Sequence, residues 1–218
     1  GHRVLLIDLD PQGNIGQWFG IDGKRVRVVD LLESRAGPAE CAVEVRDGLE
    51  VIASDWRLAE AEEDLIRGRE REKWLGRRLS KLRGYDFVIV DCAPSMSLLT
   101  SSALHYADEV VIPISMEYLA LFGVKQIIEN ILRMNSSNGS KMRITAVVPT
   151  FYQQNLRKSG EILRALERHF RGAVAEPIRI NVRLSEAPSH RQTIFEYSPR
   201  SHGAEDYRRL VSRFTGDA

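Results

Sequence analysis

The sequence predicts an α/β fold in which a mostly parallel sheet carries helices on both faces. Three observations support this fold class. Short apolar runs of strand length alternate with longer stretches of helical periodicity. Two of the runs end in aspartate, at the strand ends where open parallel sheets bind their ligands. The 218 residues show no repeat or linker-like segment, so we expect one domain over residues 1–218.

Each element is predicted from its local pattern. Strands are expected at short, mostly apolar runs, namely residues 4–9, 49–53, 87–90, 110–114 and 144–148. Helices are expected where apolar residues recur every three or four positions. These are residues 28–32, 56–82 with a break near Gly68, 97–106, 118–134, 156–170 and 204–214. The run Ser-Ser-Asn-Gly-Ser at 136–140 predicts a loop.

Composition excludes several classes of protein. Hydrophobic residues make up 43% and charged residues 28%, as in ordinary globular domains. No apolar run approaches the roughly 20 residues that span a membrane, so we expect no membrane partner. Cys41 and Cys92 are too few for a disulfide framework and lack metal-site spacing, which favours the cytoplasm.

Charge is distributed unevenly along the chain. Residues 157–218 contain 12 Lys and Arg against 8 Asp and Glu, a net charge of +4, whereas the preceding residues carry −3. A basic C-terminal third suggests a polyanionic partner. A solvated surface of mixed charge explains the same numbers.

The first residue precedes the first predicted strand almost directly. Glycine is common just after a helix, where a left-handed backbone is needed. Gly1 therefore suggests that a helix ends here, and that a strand, a loop and a helix lie upstream of this sequence.

Acidic residues stand where predicted strands stop. Asp8 and Asp10 follow one apolar run and Asp91 follows another. Two residues apart on an extended backbone, Asp8 and Asp10 point to the same side. Such carboxylates suit Mg²⁺, which takes few protein ligands and usually accompanies phosphates. The alternative is that these aspartates only form turns and cap helices.

The loop Asp10-Pro11-Gln12-Gly13-Asn14 follows at once. Pro11 fixes its φ angle, and Gly13 lets the backbone approach a ligand closely. Asn14 is a candidate cap for the next helix. The loop is suited to hold a water or a phosphate near Asp10, although it is also compatible with an ordinary turn.

Several blocks resemble the ParA/Soj partitioning ATPases. Residues 4–14 (Val-Leu-Leu-Ile-Asp-Leu-Asp-Pro-Gln-Gly-Asn) resemble the family's second conserved block, and residues 85–95 (Tyr-Asp-Phe-Val-Ile-Val-Asp-Cys-Ala-Pro-Ser) resemble its Walker B block. Residues 148–150 (Val-Pro-Thr) resemble its adenine-side strand end. Residues 182–190 (Val-Arg-Leu-Ser-Glu-Ala-Pro-Ser-His) and 197–204 resemble its C-terminal signature. The blocks cover nearly the whole chain in the family's order.

The resemblance implies a P-loop NTPase of the deviant Walker A type that binds ATP and Mg²⁺. It implies a homodimer in the ATP state that binds DNA non-specifically, and slow ATP hydrolysis that a ParB-like partner stimulates. The resulting cycle positions chromosomes, plasmids or other cargo, so the implied location is the cytoplasm and the nucleoid.

The resemblance also assigns roles to residues. It implies that Asp10 orients the attacking water, and that Asp8 and Asp91 lie near Mg²⁺ and act through its waters. The implied nucleotide contacts are Gln12, Gly13, Asn14, Pro149, Thr150 and Pro188. Arg183 matches the best DNA-binding candidate, and the basic residues that could join it are Arg157, Lys158, Arg179 and Arg191.

The sequence departs from the family in a few places. The family's glycine-rich phosphate loop with its two lysines falls before Gly1, so we expect this chain alone to bind ATP poorly. Cys92-Ala93 stands where Thr-Pro is usual, and Cys92 is expected to be a packed residue. Gln153 stands where an acid is frequent, and Arg191 where glycine is usual.

Two other functions remain open. One is a non-catalytic interaction module without a phosphate loop, which would not need the three aspartates. The other is a P-loop reductase with an iron–sulfur cluster, for which Cys41 and Cys92 are poorly placed. A membrane-binding MinD-like protein is disfavoured, because Tyr207, Leu210, Val211 and Phe214 are spaced to pack on their own domain.

Overall fold

A computed structural model describes residues 1–21, 26–66, 71–117, 127–134 and 142–216. The chain forms two compact units, Gly1–Ala107 and Asp108–Ala218. Strands and helices alternate in both, which confirms the predicted α/β class. The prediction of a single domain stays a prediction.

The first unit contains four strands and six helices among its described residues. In chain order they are β1 (Val4–Leu9), α1 (Asn14–Trp18), α2 (Val28–Leu32), α3 (Pro38–Cys41), β2 (Val43–Arg46), β3 (Leu49–Ile52), α4 (Arg57–Ile66), α5 (Trp74–Arg78), β4 (Phe87–Cys92) and α6 (Leu98–Tyr106). A 3-10 turn at Arg71–Lys73 precedes α5. The helix predicted over 56–82 is thus divided and ends at Arg78, and its expected break near Gly68 lies outside the described residues.

The strands of this unit form one sheet in the order β2-β3-β1-β4. β1 pairs in parallel with both β3 and β4, which agrees with the mostly parallel sheet that was predicted. β2 was not predicted, and it pairs antiparallel with β3 across the Asp47-Gly48 turn. Its alternating Val-Glu-Val-Arg sequence before an Asp-Gly pair is a hairpin signal. Within the described residues β4 has one hydrogen-bonded neighbour, β1.

Alternate residues of β1 face two hydrophobic clusters. Leu5, Ile7 and Leu9 are buried against residues of α2, α4, α5 and α6. Leu6 faces the other side and packs with Ile15 of α1. The period of two in a strand thus places helices on both faces of the sheet, as the sequence predicts. Asp8 shares the face of Leu6.

The second unit contains two strands and five helices among its described residues. They are β5 (Glu109–Ser115), α7 (residues 127–134), β6 (Arg143–Thr150), α8 (Arg157–His169), α9 (Val182–Glu186), α10 (Ile194–Tyr197) and α11 (His202–Thr215). A 3-10 turn at Ala187–His190 follows α9. Residues 118–126 of the predicted helix and the predicted 136–140 loop lie outside the described part. In the parts of the chain that are described, no helix is long and apolar enough to cross a membrane.

β5 and β6 run parallel with a register shift after Val110, and the unit packs around them. Ala146, Val148, Ala175 and Ile178 are buried, and three residues of α11 cover them: Tyr207, Leu210 and Phe214. The predicted packing of the last helix on its own unit is therefore confirmed for these three. Val211 was predicted with them, but it is 47% exposed and does not belong to the core.

A buried carboxylate fixes α11. The side chain of Asp206 is inaccessible to solvent. It accepts hydrogen bonds from the Arg179 backbone N–H (2.9 Å) and from Arg179 Nε (3.0 Å), and it also pairs with Arg209. Burial acts to raise the pKa of Asp206, but the bonds from Arg179 outweigh it and hold that pKa below its ordinary value.

The backbone of Arg191 is in the left-handed region, with φ 54° and ψ 34°. It ends the 3-10 turn, and its N–H donates to the Pro188 carbonyl at 2.9 Å. A residue with a Cβ pays roughly 1–2 kcal/mol in this conformation. This explains physically why the resemblance leads us to expect glycine here, and it makes Arg191 a strained position.

Replacing Asp206 by asparagine should lower the free energy of unfolding by about 2–3 kcal/mol at pH 7, because Arg179 and Arg209 lose their buried counter-charge. Urea unfolding measures the loss. The matched control is Glu205→Gln, which removes an exposed partner of the same arginine and should cost under about 1 kcal/mol. Equal losses for the two variants would contradict the assigned role.

The stabilisation by Asp206 should depend on pH in a defined direction. Its native pKa lies below the unfolded value of about 3.9, so the stabilisation is present above that pH. It is lost as the pH falls through the native pKa. The difference between wild type and Asp206→Asn should therefore be constant from pH 5 to 7 and shrink below about pH 4.

Replacing Arg191 by glycine should raise the free energy of unfolding by about 0.5–1 kcal/mol, since relief of the left-handed strain exceeds the added freedom of the unfolded chain. Arg191→Ala is the control, because it removes the side chain but keeps the Cβ. The glycine variant should unfold at higher urea than the alanine variant; the reverse order would refute the strain.

Candidate functional site

Two of the predicted aspartates lie side by side on neighbouring strands. Asp8 of β1 and Asp91 of β4 are register partners, and adjacent strands are about 4.8 Å apart. Both lie inside their strands, one residue before the end: Asp8 lies within the predicted bounds of β1, whereas Asp91 was expected after its strand and lies inside it, because the ladder continues to Cys92. Their side chains therefore project from the same face of the sheet at its carboxyl edge.

Asp8 is completely buried. Its Oδ1 accepts a hydrogen bond from the backbone N–H of Asp10 at 3.0 Å. Its Oδ2 is buried and has no close hydrogen-bond partner in the described part of the chain, although the Ile15 backbone N–H is near enough to act to lower the pKa of Asp8. A buried acceptor without a donor is costly, so this oxygen is the atom of the site most in need of a ligand.

The three acids influence one another electrostatically. Burial raises the pKa of Asp8 to about 6, and the negative charges of Asp91 and Asp10 add to the effect. Desolvation, followed by the charge of Asp10, also raises the pKa of Asp91, although that side chain is exposed by surface area. The site therefore favours a positive charge beside it.

The loop after β1 is held in one conformation. Asp10 accepts from Gln12 N–H at Oδ1 (2.9 Å) and from Gly13 N–H at its carbonyl (3.0 Å). Gly13 has φ 64°, and a Cβ there would lie 2.8 Å from the Ser54 carbonyl oxygen. Asn14 was expected to cap the helix, but Gly13 occupies the cap position and Asn14 is the exposed first residue of α1.

The acids do not enclose a cation by themselves. Among the described residues, no group of three or more His, Cys, Asp or Glu could hold a metal ion. Mg²⁺ is commonly held by one or two carboxylates while it keeps several waters. The unpartnered Asp8 Oδ2 fits such a hydrated ion, because a water of its shell would supply the missing donor.

Neither cysteine has the features of a reactive or cluster-binding thiol. Burial raises the pKa of Cys92 to about 12, with Asp91 and Asp8 adding to it. Cys41 is buried in the hydrophobic cluster of the first unit, where burial raises its pKa to about 11. Both are protonated packing residues at neutral pH.

An acid that the sequence analysis did not single out lies beyond β3. Asp55 is bound by Arg57 through the backbone N–H (3.0 Å) and through Nη2 (2.8 Å). The buried Arg27 has its Nε 3.8 Å from Asp55 and donates from Nη1 to the Ile21 carbonyl at 2.8 Å. Through Arg27, these contacts connect Ile21, which follows α1, to the segment after β3 that contacts Gly13. The available sequence signal was an aspartate shortly after a predicted strand with an arginine two positions later.

The predicted adenine-side residues belong to the second unit. Pro149 is buried near the end of β6, and its carbonyl accepts from Ile178 N–H at 2.8 Å. Thr150 ends β6 and accepts from Met116 N–H at 3.1 Å. Pro188 is half-buried in the turn after α9. Their nucleotide role stays a prediction.

Most of the predicted DNA-binding residues are held by carboxylates. Arg183 pairs with Glu186 at 2.8 Å, and Lys158 pairs with Glu117 at 2.8 Å. Arg179 is engaged by the buried Asp206 and by Glu205. Arg191 is exposed beyond the 3-10 turn. The structure thus places Arg183 and Lys158 in ion pairs and gives Arg179 a structural role.

Comparison with known proteins gives consistent matches. A family model described as an AAA domain matches residues 1–144. The sporulation initiation inhibitor protein Soj of Bacillus subtilis is 38% identical over 212 residues, covering 95% of this chain and 84% of that protein. The chromosome partitioning protein ParA of Caulobacter vibrioides is 35% identical over 218 residues, covering 97% and 82%.

A solved structure extends the comparison. Cobyrinic acid a,c-diamide synthase from Mycobacterium smegmatis, with bound ATP analog and magnesium, aligns with a TM-score of 0.83 at 30% identity. The alignment covers 100% of this chain and 85% of that one. This enzyme is named for a different activity from Soj and ParA, and its sequence identity to the chain is lower than theirs. On this identity over nearly its whole length, the chain belongs to the ParA/Soj family of partitioning ATPases.

Proposed function

We propose that this protein is an ATP-dependent switch that positions chromosomes, plasmids or other cargo. The observation that carries the proposal is the in-register pair Asp8 and Asp91 at the carboxyl edge of the sheet, with the Asp8 Oδ2 buried and unpartnered in the described residues. Soj and ParA, to which the chain is similar over nearly its whole length, are named for sporulation control and chromosome partitioning, which supports a partitioning role.

The three acids have separate tasks in this proposal. Asp8 and Asp91 would hold hydrated Mg²⁺, since both face the same side of the sheet and burial, with the neighbouring negative charges, raises their pKa values. When bound, Mg²⁺ neutralises phosphate charge. Asp10 is partly accessible, and its carboxylate holds the attacking water in position.

The nucleotide contacts in this proposal are those that the family resemblance implies. Gln12, Gly13 and Asn14 present backbone beside Asp10, and Gly13 leaves no space for a side chain against Ser54. Pro149, Thr150 and Pro188 would border the adenine. The similar M. smegmatis enzyme was solved with an ATP analog and magnesium, which supports ATP and Mg²⁺ as the ligands.

The switch acts through assembly. In the ATP state the protein forms a homodimer that binds DNA without reading its sequence, and a ParB-like partner stimulates hydrolysis and release. Arg183 contributes to DNA binding, because it is exposed and its partner Glu186 is an exchangeable surface carboxylate. Arg191 and Lys158 are further candidates. The protein would then reside on the nucleoid in the cytoplasm.

Asp10→Ala in the full-length gene product should reduce ATP hydrolysis about 100-fold and retain ATP-dependent dimerisation. The reason is that the variant loses the group that orients water but keeps Asp8 and Asp91. Phosphate release and light scattering measure the two properties. Glu63→Ala, which removes an exposed acid of α4, is the control and should hydrolyse ATP normally. Normal turnover by Asp10→Ala would refute the role of Asp10.

Arg183→Glu should lower retention on duplex DNA at low salt by about tenfold or more, because one phosphate contact is replaced by repulsion. Filter binding with ATP and Mg²⁺ measures it. Arg143→Glu is the matched control, since Arg143 is also an exposed arginine of the second unit in an ion pair. If both variants lose the same affinity, the effect is one of total charge and Arg183 has no special part.

A further inference from the structure

The exposed arginines of the second unit differ in whether a carboxylate neutralises them. Arg143 pairs with Glu109 at 2.8 Å, Arg157 with Glu161 at 2.9 Å, and Arg183 with Glu186 at 2.8 Å. Within the described residues, Arg164, Arg168 and Arg171 have no ion pair, and all three are exposed. Uncompensated positive charge is therefore present on and just after α8, as it also is at exposed Arg200, Arg208 and Arg213, and the sequence analysis selected none of these residues.

These three arginines lie on α8 and just after it. The helix buries Ser159, Ile162 and Leu166. Arg164 and Arg168 are four positions apart, so at 3.6 residues per turn they share the opposite face of the helix. Arg171 follows α8, which ends at His169, and lines the same groove as the other two arginines. We refer to these three residues as the stripe.

The stripe borders an open groove of about 510 Å³, which Arg164, Glu167, Arg168 and Arg171 line. Three arginines and one glutamate give these residues a net charge of +2. Guanidinium groups bind phosphate oxygens through two parallel hydrogen bonds. Unpaired arginines make such bonds without first breaking an ion pair, whereas Arg183 must exchange Glu186.

We propose that Arg164 and Arg168 of α8 and Arg171 just after it form a DNA phosphate-binding surface, in addition to Arg183. The proposal rests on the DNA binding included in the proposed function. The ligand is the sugar–phosphate backbone of duplex DNA, because the lining residues offer charge without any aromatic ring for base stacking. An anionic membrane is a poorer fit, since the groove has no apolar side chain to insert between lipids.

The main experiment compares two double variants of the full-length protein with ATP and Mg²⁺. Arg164→Gln/Arg168→Gln removes two unpaired arginines of α8. Arg35→Gln/Arg143→Gln removes two exposed arginines that are paired with carboxylates. Binding to a random-sequence duplex is measured from 50 to 200 mM salt. The α8 variant should lose at least about tenfold in affinity, and its slope of log K against log salt should fall by about 1.8 for each contacting protomer.

Two further variants separate charge from folding. Arg164→Lys/Arg168→Lys keeps the charge and should retain the salt slope. Glu167→Gln removes the acid of the groove and should raise DNA affinity severalfold, a gain that damage to the fold does not produce. Thermal unfolding of every variant should show that substitutions at these exposed positions leave the protein folded.

The outcomes are distinguishable. If wild type fails to bind duplex DNA with ATP, the DNA-binding part of the proposed function fails. If wild type binds and the α8 variant binds equally well, the α8 surface is overturned and the proposed function stands. Equal losses in the two double variants also overturn it, because total charge then explains the binding. The same holds if the α8 variant loses binding to phosphatidylserine vesicles but keeps its affinity for DNA.

Discussion

The arrangement of the site depends on the pairing of β1 with β3 and β4. β1 is bonded in parallel on both sides, and this ladder makes Asp8 the direct neighbour of Asp91. The same strand directs Leu5, Ile7 and Leu9 into one core and Asp8 toward α1. A shift by one residue would exchange these faces and bury the wrong side chains. The hydrophobic core therefore determines where the acids lie.

Much of this could be predicted from the sequence, because buried strands and strand-end acids leave a local signal. Val4–Leu9 and Val28–Leu32 were predicted with the bounds that the structure has. Bounds were less accurate where backbone pairing decides them, so β4 and β6 extend beyond their apolar runs. The bounds of α1 were not predicted. The helix has only five residues, and glycine rather than a side-chain cap precedes it, so it leaves little sequence signal.

The charged surface could not be predicted in the same way. Counting basic residues identified the C-terminal third but not which of them are neutralised. Lys158 meets Glu117 across 41 positions of sequence, and Arg179 meets Asp206 across 27. Such partners are brought together only by tertiary structure. The sequence therefore indicated a basic region, whereas the fold determines that its uncompensated charge includes the stripe on α8.

The close contact of Gly13 with Ser54 has a consequence for how the chain can evolve. The loop after β1 and the segment after β3 approach so closely that position 13 has no volume for any side chain. Substitutions there cannot be accommodated by rotamer changes, because the obstructing atom belongs to the main chain. Sequence variation in this loop is thus expected at the exposed Gln12 and Asn14, whereas position 13 is expected to remain glycine.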